Sequence, residues 1–398
     1  MLAGRRVLLG LSGGIASYKS CYLARALTER GALVTTVMTR GAAEFVGPAT
    51  FEALTHQPVL RSVWEPGHAL DHVRLAQESD LIVVAPATAH VIARAAQGLA
   101  DDLLTTILVA ATVPILMAPA MNDAMFAHPA TQANLATLES RGVRFVGPDA
   151  GALAEGPSSL PGRMSEPDVI LAHVLRLLAG SGPLSGRRVV VTAGPTREAI
   201  DPIRFLSNRS SGRMGHRLAE VAWERGADVT LITGPTALPA PVGARVVRIE
   251  TTRELEDAVR RELPQADVLI MAAAPSDYRP SSASETKRPR STGDWSLPLE
   301  PTADILSATR AVRKAGSIIV GFALETGDAL AKGRTKLEQK GLDLIVINDA
   351  LEPGAGFDVD TNRVTIVSKT QDEWDLPLQS KRDVAVGILE RVERYLVP

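Results

Sequence analysis

The residues of this chain able to do chemistry gather just after short apolar runs. Ser12, Gly13, Gly14 and Ile15 follow the run Val7 to Leu11 and open a helical pattern. Free backbone N–H groups and the helix dipole hold a phosphate at such a place. The spacing is neither G-x-G-x-x-G nor a P-loop, so a plain tight turn is the alternative. Pro86, Ala87 and Thr88 form a second small polar turn after the run Leu81 to Ala85. Two such turns at the carboxyl edge of a parallel sheet favour a nucleotide-like ligand. His72, in the segment DHVRL, reads either as a half-buried surface histidine or as a general base. Asn122, in PAMNDAMF, reads either as a helix N-cap or as an amide that holds a carboxylate.

The second half repeats the arrangement with other residues. Thr192 to Arg197 (TAGPTR) ends an apolar run, and Asp201 to Gly215 supplies Arg204, Asn208, Ser210, Ser211 and Gly212 before a helix. That loop suits a phosphate-bearing ligand, with a Ser/Gly connection as the alternative. Asp277 is a turn residue or a ligand group, and Lys287 a solvated loop charge or a phosphate partner. Arg279 to Asp294 has no apolar face and reads as a mobile loop, of a length that often serves as a lid.

The elements that must position these residues are strands alternating with helices. Strand-length runs are Val7 to Leu11, Val34 to Met38, Leu81 to Ala85, Ile115 to Ala118 and Val143 to Val146. A second series follows: Arg188 to Thr192, Val229 to Thr233, Val246 to Ile249, Val268 to Ala272, Ile318 to Phe322 and Leu344 to Ile347. Alternation of this kind predicts parallel α/β sheets. Between the series lies Ala179 to Gly186 (AGSGPLSG), rich in Gly, Ser and Pro, where a domain boundary is expected. The halves echo each other: LAGRRVLL from Leu2 resembles LSGRRVVV from Leu184, and ERGA at Glu29 recurs at Glu224. The expectation is an α/β chain of two doubly wound, Rossmann-like domains with mostly parallel sheets, residues 1–180 and 181–398.

Composition narrows the function classes. The 398 residues exceed a single small module of about 150 residues. Lys plus Arg number 43 against 45 Asp plus Glu, a net charge of −2, without the basic excess that nucleic-acid binding needs. The single cysteine, Cys21, allows no intrachain disulfide, which fits a reducing compartment. The start Met1 to Gly14 has no secretion signal, so a cytoplasmic place is expected. Leu103 to Asn122 runs 20 residues without a charge, but Pro114 and Pro119 split it. It reads as a buried helix, Leu103 to Ala111, and a core strand, Val113 to Ala118, so no membrane partner is expected.

The motifs SGGIASYK from Ser12, His72, APAT from Ala85 and PAMNDAM from Pro119 resemble the flavin-dependent cysteine decarboxylases in order and separation. The resemblance implies FMN held by Ser12, Gly13, Gly14, Ile15, Thr39, Pro86, Ala87 and Thr88. It implies His72 as base on a cysteinyl substrate and Asn122 as the group binding the substrate carboxylate. The family's coenzyme A branch carries a proton-donor cysteine in a flap ending in GRM. Here the flap runs GALAEG from Gly151, then PGRM from Pro161, and Glu155 stands at the cysteine position. Either a protonated Glu155 donates, or another group does, or the decarboxylase half is altered. Asp101, where the family usually has Asn, is a smaller departure.

TAGPTR, Asp201 to Gly215, AAAPSDY from Ala272, GFALET from Gly321 to Thr326, and LDLIVIND from Leu342 resemble phosphopantothenate–cysteine ligase. The whole chain is thereby similar to the bacterial bifunctional phosphopantothenoylcysteine decarboxylase/phosphopantothenate–cysteine ligases of coenzyme A biosynthesis. For the second half the resemblance implies activation of phosphopantothenate by CTP as an acyl cytidylate, displaced by the amine of L-cysteine, with Mg2+ beside the triphosphate. Asn208 and Arg204 would handle the acyl cytidylate. Met271, Ala272, Ala273, Asp277, Lys287, Ala303, Asp304, Ile305, Leu306, Phe322, Lys336, Lys340, Ser210 and Gly212 would bind CTP, and no metal ligand is assigned. The family's KxKK run reads here Lys287-Arg288-Pro289-Arg290, and its NPD reads Thr302-Ala303-Asp304. The resemblance also implies a homo-oligomer: trimers through the flavin domain that share FMN and substrate across subunits, dimers through the ligase domain, a dodecamer with both. A flavin-binding scaffold without activity is the non-enzymatic alternative, and retention of His72 and Asn122 argues against it.

Overall fold

The computed structural model describes residues 2–64, 70–290, 294–325, 327–349, 352, 354, 356 and 359–396. Residues 291–293 of the expected mobile loop and Thr326 of GFALET lie outside these. The chain divides into two compact units, Met1–Ala179 and Gly180–Pro398.

In the first unit six parallel strands lie in the spatial order Val59–Leu60, Leu33–Met38, Arg6–Leu11, Leu81–Ala87, Ile115–Pro119, Arg144–Phe145. The order reverses direction at Arg6–Leu11, which pairs with Leu33–Met38 on one side and Leu81–Ala87 on the other. Loops leaving the carboxyl ends of Arg6–Leu11 and Leu81–Ala87 therefore part to opposite faces and leave a crevice between them. Val7, Leu9, Leu11, Leu81, Val83 and Ala85 enter one core, with Leu23 and Leu27 of the helix Ser17–Glu29. Leu8, Ile82 and Val84 enter the other, with Leu104 and Ile107 of the helix Leu103–Ala110. Burial on both faces explains why these strands are unbroken apolar runs rather than alternating ones.

The charge-free stretch resolves into that helix and the strand Ile115–Pro119. Asp102 Oδ1 accepts from Thr105 N at 2.8 Å, capping the helix start. No helix among the described residues is long and apolar enough to cross a membrane. The run Val143 to Val146 yields a strand of only Arg144–Phe145, and the short edge strand Val59–Leu60 carries no sequence signal of its own.

The second unit has an eight-stranded sheet: Arg245–Arg248, Asp228–Thr233, Arg188–Ala193, Val268–Met271, Ile318–Glu325, Leu344–Asp349, Thr361–Ser368, Glu373–Ser380. Its turning point lies between Arg188–Ala193 and Val268–Met271. The last two strands run antiparallel, an addition the apolar-run reading missed. Glu373–Ser380 is an edge strand with charged residues on its open face, so it presents no continuous apolar run. The expected loop from Arg279 begins instead as a hairpin. Tyr278–Pro280 pairs with Leu299–Pro301, and Arg279 bonds Glu300 across it at 2.7 Å.

Candidate functional site

A cavity of about 550 Å³ opens at the crevice of the first unit. Gly13, Gly14 and Ile15 form one wall, Thr88 and Asn122 another, and the flap tip Leu153 to Glu155 covers it. The N–H groups of Gly13, Gly14 and Ile15 take no acceptor among the described residues, and they lie at the mouth of the helix Ser17–Glu29. That makes the wall a receptor for an anion. A Cβ on Gly13 would stand 2.8 Å from the Gly41 carbonyl carbon, so the turn tolerates no side chain there.

Ser12 does not line the cavity. Its hydroxyl donates to the Pro86 carbonyl at 2.7 Å and accepts from Thr88 N at 2.9 Å, clamping the two turns together. Pro86 and Ala87 lie buried in the strand behind Thr88. Thr39 receives the Ala42 N–H at the end of the neighbouring strand, outside the lining.

Asn122 caps a helix and also turns its amide to the cavity. Its Oδ1 caps the short helix Asp123–Ala127 by accepting from Ala124 N at 2.8 Å. Its Nδ2 then faces the cavity and donates to Oε1 of Glu155. The flap stands on the two-stranded arm Asp149–Ala150 and Pro161–Arg163. Gly162 makes this possible: its carbonyl accepts from Met121 N at 3.0 Å, in a contact that leaves no room for a Cβ.

His72 stands elsewhere. It lies in the helix Asp71–Glu78, directly before the strand Leu81–Ala87, and is not among the residues lining the cavity. Its Nδ1 is buried without a hydrogen-bond partner among the described residues.

Sequence reasoning missed two cations. Lys19 Nζ donates to the Met164 carbonyl at 2.8 Å and to Glu166 at 3.0 Å, and Arg163 bonds the same Glu166 carboxylate. Both cations line the cavity. Burial, reinforced by the Arg163 charge, pushes the Lys19 ammonium below the usual lysine range. Two cations on one carboxylate leave the wall biased toward anions. The signals present were a lysine in the first turn after the glycine turn and the arginine of PGRM.

In the second unit the predicted residues form three groups. Asn208 Nδ2 donates to the carbonyls of Ala274 and Pro275, at 3.3 and 2.9 Å, fixing its loop against the turn after Val268–Met271. Gly212 opens the helix Arg213–Glu224 at φ +75, where a Cβ would meet Thr236 at 2.7 Å. Ser210 N bonds back to the Asn208 carbonyl at 2.9 Å.

Arg204 belongs to a separate knot. Its Nε and a terminal nitrogen bond Asp201 at 2.9 and 2.6 Å, and that nitrogen reaches the Arg288 carbonyl at 2.9 Å. Arg204 and Arg288 both lie over the Trp295 ring, at 5.5 and 5.3 Å. The Arg204 guanidinium, helped by the N–H groups of Ile203, Arg204 and Arg288, holds the Asp201 carboxyl well below the usual carboxylate range. Exposed Lys287 is thus carried on a strap tied to Arg204.

Lys340 pairs with Asp304 at 3.3 Å, and Lys336 with Glu325. Burial opposes the Asp304 charge, yet Ser307 and Lys340 more than offset it and leave the pKa below its ordinary value. Met271, Ile305 and Leu306 are buried in the core, leaving only their main chains to meet a ligand. Ala273 N is taken by Thr192 Oγ1 at 3.0 Å, and the Asp277 carbonyl by Thr302 N at 2.9 Å. Ala272 and Phe322 are half-buried, and Ala303 lines a smaller cavity of about 280 Å³ with Glu198 and Arg253. No cluster of three or more His, Cys, Asp or Glu residues suited to a metal occurs among the described residues.

Comparison with known proteins follows the same division. Residues 1–179 match the family described as Flavoprotein, and residues 184–396 the DNA/pantothenate metabolism flavoprotein C-terminal domain. The coenzyme A biosynthesis bifunctional protein CoaBC of Vibrio vulnificus (strain CMCP6) is 42% identical over 399 residues, covering 99% of each chain. That of Mycobacterium tuberculosis (strain ATCC 25618 / H37Rv) is 45% identical over 407 residues, covering 98% of this chain and 97% of its own. The chain belongs to the CoaBC family.

Among solved structures, the C-terminal domain of a CoaBC protein is 38% identical, covering 54% of this chain and 98% of its own, with a TM-score of 0.47. The Flavoprotein match falls on the unit that holds the Asn122 cavity, and the C-terminal domain match on the other.

Proposed function

We propose that the chain makes 4'-phosphopantetheine: it ligates 4'-phosphopantothenate to L-cysteine with CTP, then decarboxylates the product with FMN. The observation that carries this reading is the cavity of the first unit, where unpaired glycine-turn N–H groups and the Asn122 amide face one space under a flap. Those donors fit an FMN phosphate at the turn, and Lys19 and Arg163 add positive charge for anionic ligands. Bound FMN would supply a hydride acceptor for the thiol-bearing carbon, so that CO2 leaves from the neighbouring carbon, and would return the hydride afterwards. The chain's part is to hold and to move protons. Asn122 Nδ2 holds the substrate carboxylate, His72 takes the thiol proton, and Glu155 at the flap tip returns a proton once CO2 has left.

In this reading His72 acts on the cavity of a neighbouring subunit. Its position outside the lining, with Nδ1 unpartnered, supports a site shared across a trimer. So do two exposed apolar groups on the first unit: Ile15, Tyr18 and Tyr22 beside the cavity, and Leu70 and Val73 beside His72. In the second unit exposed Ile203 and Phe205, on the hairpin of Arg197–Ala199 and Phe205–Ser207, and Tyr278 and Leu299, on that of Tyr278–Pro280 and Leu299–Pro301, support a dimer contact. Both contacts together build a dodecamer.

For the ligase step, Lys287, Lys336 and Lys340 follow negative charge from triphosphate to departing diphosphate, with Mg2+ neutralising the remainder. Asn208 and Arg204 position the acyl cytidylate. An altered decarboxylase half gains no support, since the cavity, Asn122 and a carboxyl at the flap tip are all in place.

The test supplies phosphopantothenate, cysteine, CTP and Mg2+ to the FMN-loaded protein beside a Glu155→Cys variant, following CO2 and product masses. Release of CO2 with accumulation of 4'-phosphopantetheine is expected from both. A parent that stops at phosphopantothenoylcysteine, or at the oxidised enethiol while the variant runs on, refutes the bifunctional reading.

A further inference from the structure

The contact between Asn122 and Glu155 places a carboxylate of the protein on the donor that faces the cavity. Asn122 cannot turn to offer a second face, because Oδ1 is committed to Ala124 N at 2.8 Å. Nδ2 is therefore a fixed donor, and a carboxylate oxygen is what it holds when the cavity contains only protein atoms.

The Glu155 side chain is exposed at the tip of the flap. Glu155 sits inside a tight turn in which Leu153 N donates to the Gly156 carbonyl at 2.8 Å and Gly156 N returns to Leu153 at 3.1 Å. Gly151 N bonds the Ser158 carbonyl at 3.0 Å, which makes the tip from Gly151 to Ser158 a unit. Ser158 joins that unit to the base of the flap, its Oγ donating to Asp123 at 2.5 Å, and in the base Gly162 accepts from Met121 N at 3.0 Å. The bond from Asn122 Nδ2 to the Glu155 carboxylate ties the tip to the cavity wall.

A second carboxylate cannot share the same amide with Glu155. Two ionised carboxylates within hydrogen-bond reach of one donor repel, and the cavity wall screens them less than water does. We infer that the Glu155 carboxylate and the carboxylate of a ligand take turns on the Asn122 amide, so that the flap tip lifts for a carboxylate-bearing ligand and docks over its decarboxylated counterpart. Glu155 is by this account a specificity residue: its charge raises the threshold for acids and closes the tip once the acid group is gone. The inference rests on the reading that this cavity takes the acyl-cysteine substrate.

The experiment uses FMN-loaded full chain and two ligands that do not turn over because the sulfur is methylated. One is 4'-phosphopantothenoyl-S-methylcysteine and the other is S-methyl-4'-phosphopantetheine, which differ by the carboxylate alone. Calorimetry gives both affinities, and hydrogen exchange reads the amides of Gly151, Leu153 and Gly156. In the parent, the acid is expected to raise exchange at those amides and the decarboxylated ligand to slow it. In Glu155→Ala the acid should bind roughly tenfold tighter, the effect of removing one charged competitor for a hydrogen bond, while the decarboxylated ligand moves much less. Equal shifts for both ligands, or the same exchange pattern with both, overturn the inference and leave the substrate reading standing. Binding of neither ligand to the parent overturns both.

Discussion

Gly162 is where a single methyl group would separate the flap from its base. A Cβ built at that position stands 2.6 Å from the Met121 carbonyl oxygen, 3.1 Å from Asp123 N and 3.3 Å from the Asn122 carbonyl carbon. All three are main-chain atoms, which a side-chain rotation cannot clear. Overpacking of this kind costs about 1–3 kcal/mol. Moving the strand away also breaks the Met121 N to Gly162 bond of 3.0 Å, worth about 0.5–1.5 kcal/mol. The sum, about 1.5–4.5 kcal/mol, shifts flap docking by roughly 10- to 1,600-fold at about 1.4 kcal/mol per decade. The sheet lies behind the flap and keeps both cores, so Gly162→Ala should release the flap without unfolding the unit. Hydrogen exchange of the amides from Gly151 to Arg163, set beside those of the strand Leu81–Ala87, measures this. Fast exchange confined to the flap, with loss of decarboxylation and retained ligation, is the expected result. Unchanged flap protection, or equal loss in the strand, refutes the account of the flap's anchorage.

If the decarboxylase site spans subunits, His72→Asn and Asn122→Asp proteins are each inactive in CO2 release, but mixed oligomers refolded together regain part of it; no regain rules out the shared site. Asn208→Ala removes the bonds to Ala274 and Pro275 and should cost about 1–3 kcal/mol of loop docking. Ligation then falls while decarboxylation of supplied phosphopantothenoylcysteine does not, and an equal fall in both assays would contradict it. Burial lowers the His216 pKa below its ordinary value of 6.5. As pH drops through 6.5 toward that lowered value, the unfolded chain takes up a proton that the folded chain refuses. The second unit should therefore lose stability with acidification across that window. Thermal melts at stepped pH should show a shallower loss for His216→Gln, and parallel slopes would refute the assignment.

Much of the site was legible in advance because its positions follow from chain-local chemistry. The glycine turn needs its small residues wherever the fold places it, and Asn122 signals a helix start by type alone. Lys19 was not legible: its partners Met164 and Glu166 lie 145 and 147 residues away, and no periodicity announces such a pairing. His72 was read for its chemistry but not for its place, since its own segment does not say whether that helix borders the crevice. The antiparallel strands Thr361–Ser368 and Glu373–Ser380 escaped notice because polar residues interrupt their apolar ones and leave no continuous apolar run.

The sequence by itself determined two doubly wound sheets and the turns at their carboxyl edges, for a physical reason. A strand buried on both faces must be apolar throughout, and the turn leaving it must be small and polar. Tertiary structure alone decided which charges meet. Glu155 comes to Asn122 across 33 residues, and two cations share Glu166, because the flap folds back over the crevice. Such contacts depend on where loops from distant strands converge, and each loop carries only its own half of the geometry.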